Sequence, residues 1–516
     1  MTKTTMQSVY EQSRGKRRRL TSAHKRRNVR RPTQIIWYGK TDKCKGLSGR
    51  RALDLYFKCL QHILQQQVWF MVKDRGLPPE LELIVFDLWA MRIAQLSDKI
   101  ASSSQDARSD TESQVFSTIE SEELETTDDG QSTGATRKSR EAKLDGAPTL
   151  YDCLALCYLG ILTLRLPVTP GDVYTWVTDG KMAYRRAIKL VPLTMRDRLP
   201  ASYRAALDPQ TMMRYKIFYR TLSNLQIGFS KDHGMIWPPI NTPMLLFRYL
   251  KELALPLELY DATLRLADLL GYDFTFHQDT TRQLGIRDYP EAQLAACLIL
   301  CTKLIYPFDK VKRYPISSSE PAATTVSWKA WRKEINTAQA TQRSGFTTED
   351  LTQLKENDIF DMQPEQLDQY LDFYAATFLD YAGMERRENN DFRRVLHGLF
   401  PIESNSQQCK PVQLSDAISH EMQMETVKVV QATVQPRHAR DAETEVLRPG
   451  QMYTVWKKEH HIPERARMLY EEVARIGGLS MDMLVSAVAL SEARVDLWKR
   501  KQREGTRVRR VDHEIK

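Results

Sequence analysis

The sequence predicts an all-α fold of two tandem five-helix bundles, with a basic arm before them and a helical extension after them. Apolar residues recur at helical spacing through most of the 516 residues. Three short phrases occur twice in the same order, which indicates a duplicated unit. No alternating pattern is long enough to predict a sheet. With 42% hydrophobic residues, the chain can build cores for about three domains.

The N-terminal arm, residues 1–50, holds most of the positive charge. Residues 1–51 contain 16 Lys and Arg but only Glu11 and Asp42 as acids, a net charge of +14 against +10 for the whole chain. Such an arm favours a polyanionic partner, an import receptor or both, although a solvated tail is the plainer alternative. The stretch RRPTQIIWYGK adds aromatic rings that can stack on bases. The candidate nucleic-acid or polymerase contacts in the arm are Arg17, Arg18, Arg19, Lys25, Arg26, Arg27, Arg30 and Arg31.

The first bundle is predicted over residues 51–235. ALDLYFKCLQHILQQQVWFMVKD has helical periodicity from Ala52 and ends at RGLPPE, after which a second helix follows. Residues 97–130 contain ten acidic and two basic side chains, so we expect a disordered insert from Ser97 to about Gly146. Helices resume with LYDCLALCYLGILTL, and Pro170 is placed to begin another.

The second bundle is predicted over residues 236–400, because phrases of the first return there. LLFRYL matches LYFKCL, LPLEL matches LPPEL, and CLILC matches CLALC. A helix with an acidic face follows in PEQLDQYLDFYAATFLDYAG, and the chain looks irregular from about Glu403 to Gly450. The remainder of a C-terminal extension, 401–516, predicts two helices separated at Gly477 and Gly478.

Two Cys-x-x-x-Cys pairs, Cys153 with Cys157 and Cys297 with Cys301, raise the question of a metal site. Residues four apart share a helix face, so each pair could offer two thiolates. Leucines surround both pairs, however, and free cysteine is commonly a buried hydrophobe, so core packing is the favoured reading. Sparse cysteines, no signal peptide and no apolar stretch of spanning length predict a soluble intracellular protein that contacts no membrane.

Enzyme signatures are lacking. The phosphate-binding GxxxxGK[ST] loop, GxGxxG, HExxH and GxSxG are all missing, so we predict no catalytic residues. His460 and His461 are adjacent and look like exposed loop residues, and Asp358, Asp361 and Glu365 look like a solvated acidic face.

A basic edge is predicted in the first bundle. Lys181, Arg185, Arg186 and Lys189 fall at helical spacings, with Asp197 as the only acid foreseen near them. Such cations would bind phosphate and position the protein on DNA without specifying sequence. An ordinary solvated helix face is the alternative.

Tandem helical bundles behind a basic arm resemble the two cyclin folds of transcription-factor-IIB-like proteins. From about Arg50 to Pro315, the sequence is similar to fungal core-factor subunits of the RNA polymerase I initiation machinery. The most specific pieces are LPV before Asp172 and Trp176, and the GKMAY turn that follows.

The resemblance implies a non-enzymatic initiation factor that binds the ribosomal RNA gene promoter and recruits RNA polymerase I. It implies promoter DNA, the other core-factor subunits, RNA polymerase I and TATA-binding protein as partners, in the nucleus and nucleolus. Relatives begin with a four-cysteine zinc ribbon, whereas no cysteine precedes Cys44 here. We therefore expect no cofactor, and zinc only if a ribbon precedes this sequence. A cyclin-type regulatory subunit of a protein kinase is the alternative.

Overall fold

The computed structural model describes residues 47, 49–106, 148–276, 285–342, 346, 350–351, 354–355, 358–359, 362–378, 416–440 and 446–514. All of them lie in one compact unit, Gly46–Lys516. Apart from a two-residue antiparallel ladder of β1, Thr324–Thr325, and β2, Gln435–Pro436, the regular structure among these residues is helical. The predicted all-α fold is confirmed.

The first bundle consists of five main helices. They are α1, Gly49–Trp69; α2, Glu80–Asp106; α3, Leu150–Thr163; α4, Pro170–Thr178; and α7, Tyr215–His233, with the short α5, Leu193–Arg196, and α6, Ala201–Ala206, before the last of them. A π-helical turn, Phe70–Asp74, continues α1 up to the predicted break. Helix α3 is central, because α1, α2, α4 and α7 all pack against it.

The sequence of α3 explains its central position. Thr149 and Asp152 form a reciprocal capping box, in which the Asp152 carboxylate accepts the Thr149 backbone N–H at 2.9 Å. Beyond this cap, apolar side chains occupy every face of the helix, so it must be surrounded by other helices. Cys153 and Cys157 are fully buried, which confirms the core-packing reading of the first cysteine pair.

The repeated phrases mark equivalent helices in the second bundle. The helices are α8, Thr242–Glu252; α9, Glu258–Leu270; and α10, Pro290–Ile305. LLFRYL lies in α8, LPLEL leads into α9 and CLILC lies in α10, as the counterparts of these phrases do for α1, α2 and α3. Helix α10 is buried almost throughout, including Cys297 and Cys301. The predicted duplication is therefore visible in the structure as two matching sets of three helices.

Two helices from the predicted C-terminal extension complete the second bundle. Helices α14, Glu464–Gly477, and α15, Met481–Glu514, pack against α10 as α4 and α7 pack against α3. The fourth and fifth helices that cover α10 thus lie beyond residue 463. The domain limits at 51, 235 and 400 stay predictions.

A long insertion, residues 306–463, separates α10 from α14. Its described part includes α11, Trp328–Gln342; α12, Pro364–Phe378; α13, Asp416–Ala432; and the β1–β2 ladder. Helix α12 confirms the helix predicted there. The prediction of irregular structure from Glu403 to Gly450 is wrong over α13, which packs on α8 and α11 and buries Val430.

The start of the acidic insert is also corrected. Helix α2 continues to Asp106, so the first ten residues of the segment predicted to be disordered are helical. The remainder of that segment, residues 107–146, lies outside the described residues. In the described ranges no single helix is long and apolar enough to span a membrane; α14 and α15 pass such a test only as a pair bent by 103°.

A buried ion pair fixes α15 to α10. The Lys303 ammonium donates to Glu492 at 2.6 Å, and both side chains are almost fully buried. The ammonium also lies 4.0 Å from the ring centroid of Trp456 and donates to the Thr454 carbonyl oxygen at 3.2 Å. Burial lowers the pKa of Lys303, and the carboxylate opposes that shift. The loop before α14 is thereby held against the second bundle.

The two bundles meet where α4 approaches α8 and α14. The Arg248 guanidinium donates to both carboxylate oxygens of Asp172, at 2.6 and 2.5 Å. The Thr169 hydroxyl donates to the Ile476 carbonyl oxygen at 2.6 Å. Asp172 also accepts the Thr169 backbone N–H, so one carboxylate caps α4 and joins the bundles.

Candidate nucleic-acid interface

The eight arm residues from Arg17 to Arg31 that the sequence nominates lie outside the described residues. Their role stays a prediction. The remaining four nominated cations lie between α4 and α5, where the structure shows how the chain presents them.

The loop after α4 is a series of turns and bends rather than a helix. The Trp176 carbonyl oxygen accepts the backbone N–H groups of Lys181 at 3.0 Å and Met182 at 2.9 Å, and these bonds turn the chain away from the helix axis. Met182 and Tyr184 are buried at alternate positions. The helical spacing predicted for Lys181, Arg185, Arg186 and Lys189 is therefore wrong, because α4 ends at Thr178 and the chain after it turns and bends instead of continuing as an α-helix.

The loop is anchored from inside the bundle. The Gln67 side-chain amide donates to the Ala183 carbonyl oxygen at 2.5 Å, and the Tyr184 ring packs edge-on against Tyr151 at 5.5 Å between centroids. A 3-10 turn, Ala187–Leu190, follows, and the Ile188 backbone N–H donates to Leu207 at 3.0 Å. Lys189 donates its backbone N–H to the Arg186 carbonyl oxygen at 2.9 Å, so these two cations share one turn.

Two carboxylates that the sequence argument did not consider partly compensate these charges. Lys181 contacts Asp179 at 3.1 Å, and Arg186 contacts Asp208 at 3.1 Å. The Lys181 pair is exposed and contributes little to stability. Arg186 also has a left-handed backbone, with φ of 55°. The edge is therefore less positive than its sequence suggests.

Helix α12 of the insertion reaches this loop. The Arg185 guanidinium lies 5.9 Å from the centroid of the Phe373 ring, at a distance typical of a cation–π contact. Burial, with the neighbouring charge of Arg186, lowers the pKa of Arg185. Asp368 and Asp372 are exposed on the same helix. Arg185 is thus partly covered, whereas the Lys181 side chain is exposed.

Metal chemistry finds no support in the described side chains. None of the groups of His, Cys, Asp and Glu in the described ranges brings together three residues that could hold a metal ion. Burial raises the pKa of Cys157 and Cys297 well above the ordinary value for a thiol and raises that of Cys301 to about 12, which disfavours the thiolate that metals require. His460 and His461 are exposed, as predicted.

Two family models match the chain in tandem. The model described as the N-terminal cyclin domain of Rrn7/TAF1B matches residues 60–193, and the model described as the C-terminal cyclin domain of Rrn7/TAF1B matches residues 211–378. The first match contains α3 and the loop after α4, and the second contains α8 to α10.

Two similar yeast proteins carry the name Rrn7, as the family models do. The chain is 22% identical over 393 residues to the RNA polymerase I-specific transcription initiation factor rrn7 of Schizosaccharomyces pombe, covering 73% of this chain and 70% of that protein. It is 21% identical over 279 residues to RRN7 of Saccharomyces cerevisiae, covering 53% and 46%. A chain in the crystal structure of the S. cerevisiae core factor aligns with TM-score 0.45 and 17% identity, over 89% of this chain and 99% of that one.

The predicted resemblance and the predicted tandem cyclin folds are confirmed by the two domain models and by the relatives of the same name. Because the two domain models together cover more than half of the sequence, the chain belongs to the Rrn7/TAF1B family of tandem cyclin-domain proteins.

Proposed function

We propose that this chain is a core-factor subunit that binds the ribosomal RNA gene promoter and recruits RNA polymerase I for assembly of the pre-initiation complex. The observation that carries the proposal is the tandem match of both bundles to the Rrn7/TAF1B cyclin domains, together with relatives named as RNA polymerase I-specific transcription initiation factors. The role is one of binding and assembly rather than catalysis.

The distribution of charge supports a polyanionic partner. The arm holds a net charge of +14, while the rest of the chain sums to −4, so the chain as a whole leaves a net +10 uncompensated. Promoter DNA or an acidic surface of the polymerase would neutralise it. The other partners in this proposal are the remaining core-factor subunits and TATA-binding protein, and the place of action is the nucleus, concentrated in the nucleolus.

Rapid depletion of the protein in its own cells tests the proposal. We expect chromatin immunoprecipitation to find the tagged chain at ribosomal RNA gene promoters, and depletion to stop synthesis of the ribosomal RNA precursor before messenger RNA synthesis falls. Recovery of a protein kinase without polymerase subunits, and unchanged precursor synthesis, would instead identify a kinase regulator and contradict the proposal.

Complementation of the depleted cells then tests the arm. Changing all eight nominated arm residues to Ser, with a separate import signal added, should abolish initiation while the bundles remain folded. The matched control changes the seven nominated arginines, those at 17–19, 26–27 and 30–31, to Lys and keeps the charge, so it should retain most activity. Normal transcription with the Ser variant would show that the arm serves only as an import signal.

A further inference from the structure

The insertion in the second bundle forms a basic cavity that the sequence argument missed. The cavity has a volume of about 490 Å³, and its lining includes Lys329, Arg332, Arg437 and Arg465 with a single acid, Asp309. Trp328 forms part of its apolar wall. Four cations from separate parts of the chain therefore border one concave space.

Three segments supply these cations from ordered structure. Lys329 and Arg332 are three residues apart in the first turns of α11, a spacing that places them on neighbouring positions of one helix face. Arg437 follows β2, and its backbone N–H donates to the Ala323 carbonyl oxygen at 2.5 Å. Arg465 lies in the first turn of α14.

Helix α11 is itself firmly attached to the second bundle. The Trp331 side chain is buried, and its indole N–H donates to the Leu253 carbonyl oxygen at 2.7 Å. Trp328 packs against Phe308 with ring centroids 4.4 Å apart. The cavity is therefore built on packed elements, which is what a preorganised binding site requires.

The carboxylates near the cavity do not neutralise it. Asp309 accepts two bonds from Arg313, both at 2.7 Å, and Arg313 is buried, so this acid already has its own counter-charge. Arg332 donates to the Glu464 carbonyl oxygen, while the Glu464 carboxylate is 3.7 Å away and 90% exposed. Arg437 is partly buried, which lowers its pKa. Excess positive charge in a concave site favours an anion.

We propose that this cavity binds a phosphorylated side chain, phosphoserine or phosphothreonine, of a partner protein. Guanidinium groups form paired, charge-assisted hydrogen bonds with phosphate oxygens, and arginine clusters are the common means of reading phosphorylated motifs. A cavity of this size accepts one side chain, whereas the phosphates of duplex DNA reach a protein along an open surface. The Trp328 wall would contact the apolar neighbour of the phosphorylated residue. The proposal is independent of the function proposed above.

Isothermal titration calorimetry of the full chain with a blocked phosphoserine tripeptide, Ala-phosphoSer-Ala, tests the site. We expect saturable binding with one site per chain, at least tenfold tighter than for the unphosphorylated tripeptide. The double substitution Arg332→Gln and Arg437→Gln should weaken binding at least tenfold. If that variant does not fold, Lys329→Gln with Arg465→Gln, both exposed residues, provides the same test.

The matched control is Lys333→Gln with Arg440→Gln. It removes two charges from the same two segments, but neither residue lines the cavity, so binding should stay within twofold of the wild type. Equal binding of the two tripeptides, or equal losses in the cavity and control variants, would overturn the proposal. The same titrations are repeated with a duplex DNA of about two turns. If the wild type binds the duplex but not the phosphopeptide, and the cavity variant loses duplex binding, the surface is a DNA contact and the proposal is wrong.

Discussion

Glu291, in the first turn of α10, has a carboxyl group with no exposed surface. It accepts a hydrogen bond from the Tyr158 hydroxyl of α3 and is surrounded by Tyr219 of α7 and Tyr249 of α8. Among the described residues its second carboxyl oxygen meets no donor. Burial raises the pKa of Glu291 to about 7, against the opposing effect of the Tyr158 hydrogen bond. The junction of the bundles thus contains a carboxyl group that is readily neutral.

The substitution Glu291→Gln should remove a pH dependence of stability. The folded pKa is raised above the unfolded value of 4.5, so the folded state keeps a proton that the unfolded state releases as the pH rises. The wild type should therefore lose stability from about pH 4.5 up to about pH 7, by about 3 kcal/mol, and change no further above that from this group. Glutamine still accepts the Tyr158 hydrogen bond. Denaturant unfolding at a series of pH values measures the difference.

The exposed Glu504 provides the control for this experiment. Glu504→Gln should leave the pH profile of the wild type unchanged, because its carboxylate is solvated in both states. Parallel profiles for Glu291→Gln and the wild type would show that Glu291 is charged in the folded protein at neutral pH.

The buried thiols give a second test. Five cysteines are buried in the structure: Cys59, Cys153, Cys157, Cys297 and Cys301. Burial raises the pKa of each thiol, so a reagent can neither reach the sulfur atom nor find it as the reactive thiolate. Iodoacetamide should label none of these five in the native protein at pH 8 and all five in denaturant, as read by peptide mass spectrometry. Native labelling of any of them at the rate of a free thiol would contradict the packing described for α3 and α10.

The approach of α4 to α14 depends on the absence of side chains. A Cβ atom on Gly478, at the C-terminal cap of α14, would lie 2.5 Å from the Pro170 carbonyl carbon and nearer still to the Gly171 backbone nitrogen. A Cβ on Gly171 would lie 2.6 Å from the Ile476 carbonyl oxygen. The positive end of α4 thus faces the negative end of α14 at backbone contact distance, which favours the pairing of these helices.

Gly478→Ala should therefore be far more costly than a glycine substitution at an equivalent cap. Gly234 ends α7 with φ of 64°, against 68° for Gly478, but its surroundings are open. We expect Gly234→Ala to cost about 1–2 kcal/mol from the left-handed backbone alone. Gly478→Ala should cost about 4 kcal/mol or more, because backbone atoms must also move apart. Similar melting temperatures for the two variants would mean that the helices separate easily.

The helices that sequence reasoning identified are those whose own pattern required burial. Helices α3 and α10 are apolar on every face, and α4 begins with Thr and Pro; these local sequence signals agree with the structure. Helix α13 was missed because its burial comes from contacts with α8 and α11, which are distant in the chain. The cations of the cavity were missed for the same reason: Lys329, Arg437 and Arg465 converge only after the insertion folds back.

The second bundle is a discontinuous unit, since its first three helices and its last two lie on opposite sides of the insertion. Removing residues 446–516 should therefore unfold α8 to α10 as well, because α10 would lose the cover of α14 and α15. Calorimetry should show a lower unfolding enthalpy, by the share that the second bundle contributes. A peptide of residues 446–516 added in trans should restore it.

Truncation after Glu504 is the matched control. It removes only the end of α15, and residues 499–504 just before the cut are already exposed to solvent. This shorter deletion should leave the melting temperature within about 2 °C of the wild type. If the longer deletion also left the unfolding enthalpy of the second bundle intact, the insertion would have to supply the cover of α10 by itself.

The placement of α14 and α15 also has a consequence during synthesis. Roughly 160 residues separate the end of α10 from α14, and at about 5–20 residues per second the ribosome needs on the order of 10–30 s to make them. During this interval the apolar surface of α10, with its two thiols, has left the exit tunnel without the helices that cover it. The nascent chain therefore presents an apolar helix that chaperones can bind, and the second bundle is completed only once α14 and α15 have been translated.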